Sequence, residues 1–214
     1  MRAAPLKASL RIAGPAGALE LLLEEPATPD HARFGVICHP HPLHGGTLDN
    51  KVVHTLARAL HELSVPTLRF NFRGVGASEG TFAHGRGETQ DTLAVVDFAR
   101  ERWPNAVPWL LGFSFGGVMA LRAAAECNAQ LLVTVAPAVD RMAPGAALPD
   151  CPWLLVQGDA DEVIDGQKVL EWAGSLKAPP LVHVLPQAGH FFHGRLGELR
   201  DVVVQFAAGS LQRS

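Results

Sequence analysis

Short apolar runs alternate with longer helical patterns along most of this chain, without hairpin turns between them, and that alternation leaves very few folds open. From residue 34 the order reads strand (34–38), helix (49–63, DNKVVHTLARALHEL), strand (66–72), helix (88–102, ETQDTLAVVDFARER) and strand (VPWLLG). A helix opened by FSFGGVMALRAAAE follows, then the strands LLVTVA and PWLLVQG, the helix GQKVLEWAGSL, the strand LVHVLP and a last helix over 196–212. Strands joined this way lie parallel, and a parallel sheet is buried by helices on both faces. Only the start departs: 6–13 and 18–24, joined by the turn-rich GPAG, read as an antiparallel hairpin, although ALELLL taken alone fits a helix equally well. Ligands of such sheets bind beyond the carboxyl ends of the strands. His39, Ser114, Asp161 and His190 all lie just past predicted strands.

With 214 residues, 48% of them hydrophobic and 18% charged, the expectation is a single domain over 1–214; no repeat or long Gly/Ser/Pro linker divides it. A formal net charge of -3 leaves no basic excess to follow a phosphate backbone, so nucleic acid is not an expected partner. The apolar run at 19–23 is too short, and too close to Glu20 and Glu24, for a signal-peptide core, and no segment approaches bilayer-spanning length. These points lead us to expect a cytoplasmic chain without a membrane partner. Cys38, Cys127 and Cys151 are widely spaced and odd in number, which implies neither a disulfide framework nor a C-x-x-C metal pair. Reduced, half-buried thiols are expected.

The chemistry concentrates in GFSFGG, residues 112–117, which matches G-x-S-x-G directly after an apolar strand and at the opening of a helix. A serine on so tight a turn is held in a strained backbone conformation with its hydroxyl projected over the sheet, and the helix N-terminus behind it favours developing negative charge. A serine that merely caps the helix is the plainer use of such a turn. For the acid, Asp159 and Asp161 follow the strand that ends at Gly158. Asp161 is preferred, because Asp159 sits in the turn itself, where Asp often bonds its own backbone; Asp140 is a distant third. For the base, His183 lies inside a strand and reads as a packed or edge residue. His190 lies in the loop beyond that strand, and His193 is the runner-up.

Ser114, Asp161 and His190 thus occur in the order expected of an α/β-hydrolase. On HPHPLHGGTLDNKVV, RFNFRGVGASEG, GRGETQD, GFSFGG, GDADEV and AGHFF, the chain resembles the compact, lid-less bacterial α/β-hydrolases described as serine esterases, from about residue 34 to the C-terminus. The resemblance implies an α/β-hydrolase fold: a mostly parallel twisted sheet with helices on both faces, the N-terminal hairpin and no cap domain. It also implies a triad of Ser114 as nucleophile, His190 as general base and Asp161 as the residue that orients the imidazole. Two backbone N–H groups would form an oxyanion hole, that of Phe115 and one from the loop after the strand containing Cys38. In that loop His39 and Pro40 stand at the family's His-Gly positions, which makes His41 the donor, since Pro40 and Pro42 have no N–H. Proline in place of glycine departs from the family's pattern, and Leu43 stays open as the alternative. His39 would be a structural residue under the loop.

Two other readings compete. His39, His41 and His44 have the H-x-H-x-x-H spacing of a zinc hydrolase of the metallo-β-lactamase type, but Leu43 stands where that motif carries a metal-binding Asp. A non-catalytic binding protein on the same scaffold is the other, because fold alone does not fix function. Arg69 and Arg73 are expected to tie the Gly-rich loop to an acid, with Glu88 and Asp91 as partners, rather than to bind a substrate carboxylate. Phe113, Phe115, Phe191 and Phe192 flank the proposed groups, and one or two of them would line an acyl pocket. The Pro-rich segment 137–151 is too short for a helical cap, so a mostly open cleft is expected. The resulting expectation is a serine carboxylesterase that cleaves small acyl esters, with no metal, no cofactor and no assigned oligomeric state.

Overall fold

The computed structural model describes residues 4–139 and 147–211. Among them the strand signals become β1 Leu6–Gly14, β2 Gly17–Glu25, β3 Arg33–Cys38, β4 Thr67–Phe70, β5 Val107–Phe113, β6 Leu131–Val135, β7 Trp153–Gly158 and β8 Leu181–Leu185. They build one eight-stranded sheet, in the order β1-β2-β4-β3-β5-β6-β7-β8. From β4 to β8 every neighbouring pair is parallel, whereas β2 is antiparallel to both β1 and β4. The ambiguous ALELLL is therefore strand. Leu21 pairs with Leu10 on one side and with Phe70 on the other, so partners distant in sequence satisfy a backbone that could also have satisfied itself as helix.

Among the described residues, five α-helices cover the sheet: α1 Lys51–Glu62, α2 Arg86–Arg102, α3 Phe115–Glu126, α4 Gly166–Gly174 and α5 Leu196–Leu211. Asn50 starts α1 by accepting the N–H groups of Val52 and Val53 on its side chain. The apolar stripe expected from the sequence, with Val53, Leu56 and Leu60, faces inward. Side chains alternate across each strand, and this divides the core. β5 sends Leu110 to a layer with Val95 and Val96 of α2 and Val118 and Met119 of α3. It sends Trp109, Leu111 and Phe113 to the opposite layer, with Leu56 and Leu60 of α1 and Leu199 and Val203 of α5.

Asp140 and Gln212 lie outside the described residues, as do 140–146 of the segment expected to lack a cap. Cys38 and Cys127 are buried and Cys151 half-buried, all three as free thiols, so the first two are more enclosed than expected. Burial pushes the Cys38 thiol up to about 12. No helix among the described residues is long and apolar enough to cross a membrane.

Candidate active site

The turn from β5 into α3 is tight because two glycines let backbones touch. A Cβ on Gly112 would fall 2.1 Å from the Gly116 carbonyl oxygen, and one on Gly116 would fall 2.4 Å from those of both Cys38 and His39. Ser114 sits between them at φ 55° and ψ -119°, a conformation that costs a non-glycine residue about 1–3 kcal/mol and persists only where its surroundings impose it. They do so here: the Ser114 N–H donates to Val135 O at 2.8 Å, and the Ser114 carbonyl accepts the Gly117 N–H at 3.0 Å. The hydroxyl makes no capping bond to α3.

That hydroxyl meets His190 instead. Ser114 Oγ lies 3.2 Å from His190 Nε2, and His190 Nδ1 lies 2.9 Å from Asp161 Oδ2. Asp161 Oδ2 also accepts from Gln157 Nε2 at 3.0 Å, while Oδ1 accepts the Val163 and Ile164 N–H groups at 2.9 and 2.8 Å. Burial opposes the charge on Asp161, but the bonds from His190, Ile164 and Val163 outweigh it and hold the carboxyl below its ordinary range. An ionised carboxylate only accepts, so the imidazole carries its proton on Nδ1 and turns the lone pair of Nε2 to the serine hydroxyl. The His190 N–H donates to Glu162 Oε2 at 3.1 Å, and its ring packs 4.8 Å from Phe113 and 5.1 Å from Phe191.

The other candidates have separate places. Asp159 accepts the Gln187 N–H at 2.5 Å and so ties the end of β7 to the loop after β8, rather than bonding its own turn. His193 stacks on Phe191, and His183 is a half-buried residue of the edge strand β8. Of the four phenylalanines, Phe113, Phe115 and Phe192 are buried and only Phe191, at 40% exposure, presents a ring to solvent beside His190. Phe82, which lies in an irregular loop and carries no periodic signal, joins the site by packing on His41 and Phe115.

The three histidines after β3 do not converge. His39 is fully buried, with Nδ1 on Pro40 O at 2.6 Å and Nε2 accepting the Phe72 N–H at 3.0 Å, so neither ring nitrogen is turned toward His41 or His44. His41 stacks on His44 and packs against Phe115. The Leu43 N–H donates to His41 Nδ1 at 3.2 Å, within a 3-10 turn at Pro42–His44. Phe115, the first residue of α3, has no carbonyl one turn earlier in its helix to take its N–H.

Buried ion pairs brace these loops. Arg73 grips Asp91 with both Nε and Nη2, as expected, at 2.7 Å for the shortest contact. Arg69 pairs instead with Glu24 of β2, at 2.7 Å, and donates to the Leu48 carbonyl. Glu88 pairs with neither arginine; it accepts the Ala83 and Gly85 N–H groups and caps α2.

A nucleophile-elbow turn at the carboxyl edge of a parallel sheet, with a serine, a histidine and an aspartate bonded in series, defines the architecture of an α/β serine hydrolase. Comparison with known proteins agrees with that class. The family model described as serine aminopeptidase, S33, matches residues 41–148, and the chain belongs to this family of α/β serine hydrolases. An α/β serine hydrolase homologue from Coxiella burnetii superposes with a TM-score of 0.89 at 43% identity, over 92% of this chain and 96% of that one. An α/β serine hydrolase without lid from Xanthomonas campestris gives 0.89 at 41%, over 94% of each chain. An uncharacterized protein of Rickettsia prowazekii is 31% identical over 201 residues, 89% of this chain and 84% of the relative.

Proposed function

We propose that the chain hydrolyses small carboxylic esters through an acyl-enzyme, with Ser114 as nucleophile, His190 as general base and acid, and Asp161 as the group that orients and stabilises the imidazolium. The observation that carries this reading is the unbroken hydrogen-bond series Ser114 Oγ–His190 Nε2–Nδ1–Asp161 Oδ2, with the serine strained onto the turn that begins α3. His190 Nε2 takes the hydroxyl proton as Ser114 Oγ bonds to the acyl carbon. The carbonyl π pair moves to oxygen, then returns to expel the alkoxide, which leaves with the proton from His190. Water repeats the sequence on the acyl-enzyme, releasing the acid and restoring Ser114.

The oxyanion is assigned to the N–H groups of Phe115 and His41. Pro40 and Pro42 have no N–H to offer, and Leu43 directs its own to His41 Nδ1, which favours His41 over Leu43. An ester fits better than the amide of a free N-terminal amino acid, whose ammonium calls for a dedicated carboxylate. Among the described residues, Asp161 and Glu162, the carboxylates bonded to His190, are both engaged in holding it. The zinc reading is disfavoured by His39, which spends both ring nitrogens on backbone groups.

A fluorophosphonate probe tests the assignment, with the adduct located by peptide mass spectrometry. Labelling of Ser114 is expected in the wild type and lost in His190→Ala, with hydrolysis of p-nitrophenyl butyrate lost in Ser114→Ala. Ester turnover that survives Ser114→Ala refutes the assignment. Faster cleavage of alanine p-nitroanilide than of the ester shifts the substrate class to peptides.

A further inference from the structure

Gln157 lies next to last in β7 and is 1% exposed, a polar side chain in a strand otherwise filled by Leu154, Leu155 and Val156. Its Nε2 donates to Asp161 Oδ2 at 3.0 Å, the same oxygen that His190 Nδ1 reaches at 2.9 Å, and makes a longer 3.3 Å contact to Gly158 O. Its Oε1 is, among the described residues, the one buried side-chain nitrogen or oxygen with no hydrogen-bond partner. Turning the amide over would set that oxygen against Asp161 Oδ2, acceptor against acceptor. The carboxylate therefore dictates how the amide lies, and the amide's own carbonyl goes unpaired as a result. Buried polar groups are nearly always paired, and an exception this close to a proposed reacting group calls for a role that outweighs it.

We propose that Gln157 is a positioning residue for ester hydrolysis, which aims the Asp161 carboxylate and shares its Oδ2 with His190 so as to set the basicity of the imidazole. This rests on the Ser114–His190–Asp161 reading. Without the Gln157 donor, Asp161 is held by the Val163 and Ile164 amides through Oδ1 alone, and its Oδ2 serves His190 undivided. Two separable effects follow. The carboxylate loses part of its aim, which lowers kcat, and the imidazolium becomes better stabilised, which moves the acid limb of kcat/KM to higher pH.

The test is hydrolysis of p-nitrophenyl butyrate between pH 5 and 9 by wild type, Gln157→Met, Gln157→Glu and Ser114→Ala. Methionine keeps the length and removes the donor. It is expected to lower kcat by about tenfold, with KM changed by less than about twofold, and to raise the acid limb by roughly half a pH unit or more. Glutamate, which sets a second carboxylate against Asp161, is expected to raise the limb further. Should these variants fold poorly, the far-downfield Nδ1–H proton resonance of His190 is followed by NMR in wild type and Gln157→Asn; its titration midpoint is expected to be higher in the variant. An unchanged limb in folded Gln157→Met, or an unchanged NMR midpoint in Gln157→Asn, overturns the role of Gln157. Turnover that persists in Ser114→Ala overturns the triad itself, a distinct result.

Discussion

Acid should loosen the loop after β3 through one buried imidazole. Neither nitrogen of His39 is free to take a second proton in the folded chain: Nε2 accepts the Phe72 N–H at 3.0 Å, and Nδ1 carries the proton that Pro40 O accepts at 2.6 Å. Protonating Nε2 would set one N–H against another. Burial accordingly pushes the imidazole from its ordinary 6.5 down to about 4, with the bond to Pro40 opposing the shift. Because the folded value lies below the unfolded one, the unfolded chain takes up the proton first as pH falls. The stabilisation is complete above about pH 6.5 and declines below it until about pH 4. A gap of about 2.5 pH units at about 1.4 kcal/mol each makes the loss about 3 kcal/mol, a large share of the 5–15 kcal/mol by which domains are typically stable. Urea unfolding at a series of pH values, followed by tryptophan fluorescence, measures this in wild type and His39→Asn. The variant, less stable at pH 7, should lose about 3 kcal/mol less than wild type on going to pH 4. Carboxylates that titrate in both proteins cancel in the comparison. Parallel stability curves would refute the claim that His39 is held neutral by its burial.

Three other perturbations have defined outcomes. Arg73→Met strands the fully buried Asp91 and should destabilise the chain by about 3–5 kcal/mol; Arg73→Met with Asp91→Leu should recover part of that, and a thermal midpoint unchanged in the single variant contradicts it. Gly116→Ala places a methyl 2.4 Å from the carbonyl oxygens of Cys38 and His39, pushing the loop that carries His41 away from α3. Ester turnover should fall about a hundredfold in protein that still folds, and wild-type turnover there argues against an oxyanion donor in this loop. Glu162→Ala removes the acceptor of the His190 N–H at an exposed position, so kcat should drop several-fold while stability moves by less than about 0.5 kcal/mol. Glu162→Gln, which keeps an acceptor, should restore most of the activity, and equal losses in both variants would count against the backbone bond.

How much was legible in the chain itself depended on the range of the physics involved. Helical stripes, strand runs and the close approach of Gly112 to Gly116 in the β5–α3 turn obey steric rules acting within a few residues, so the parallel sheet and the place of Ser114 could be read directly from the letters. The placement of Asp161 and His190 beside Ser114 was also legible, because strand ends in a parallel sheet share one edge. Yet ALELLL had no local reason to choose strand over helix until β1 and β4 flanked it. Arg69 met Glu24, 45 residues away, because β2 pairs with β4, whereas the nearer Glu88 was drawn to the backbone of its own helix cap. The support behind the site was equally hidden: Glu162 reaches the His190 amide from 28 residues away, Phe82 reaches the site from an irregular loop, and Gln157 betrayed itself only as a polar residue in an apolar strand. Local conformation follows from sterics and periodicity written along the chain. Which side chains share a hydrogen bond follows from strand order and from the charges that burial forces into pairs, and those exist only once the sheet has assembled.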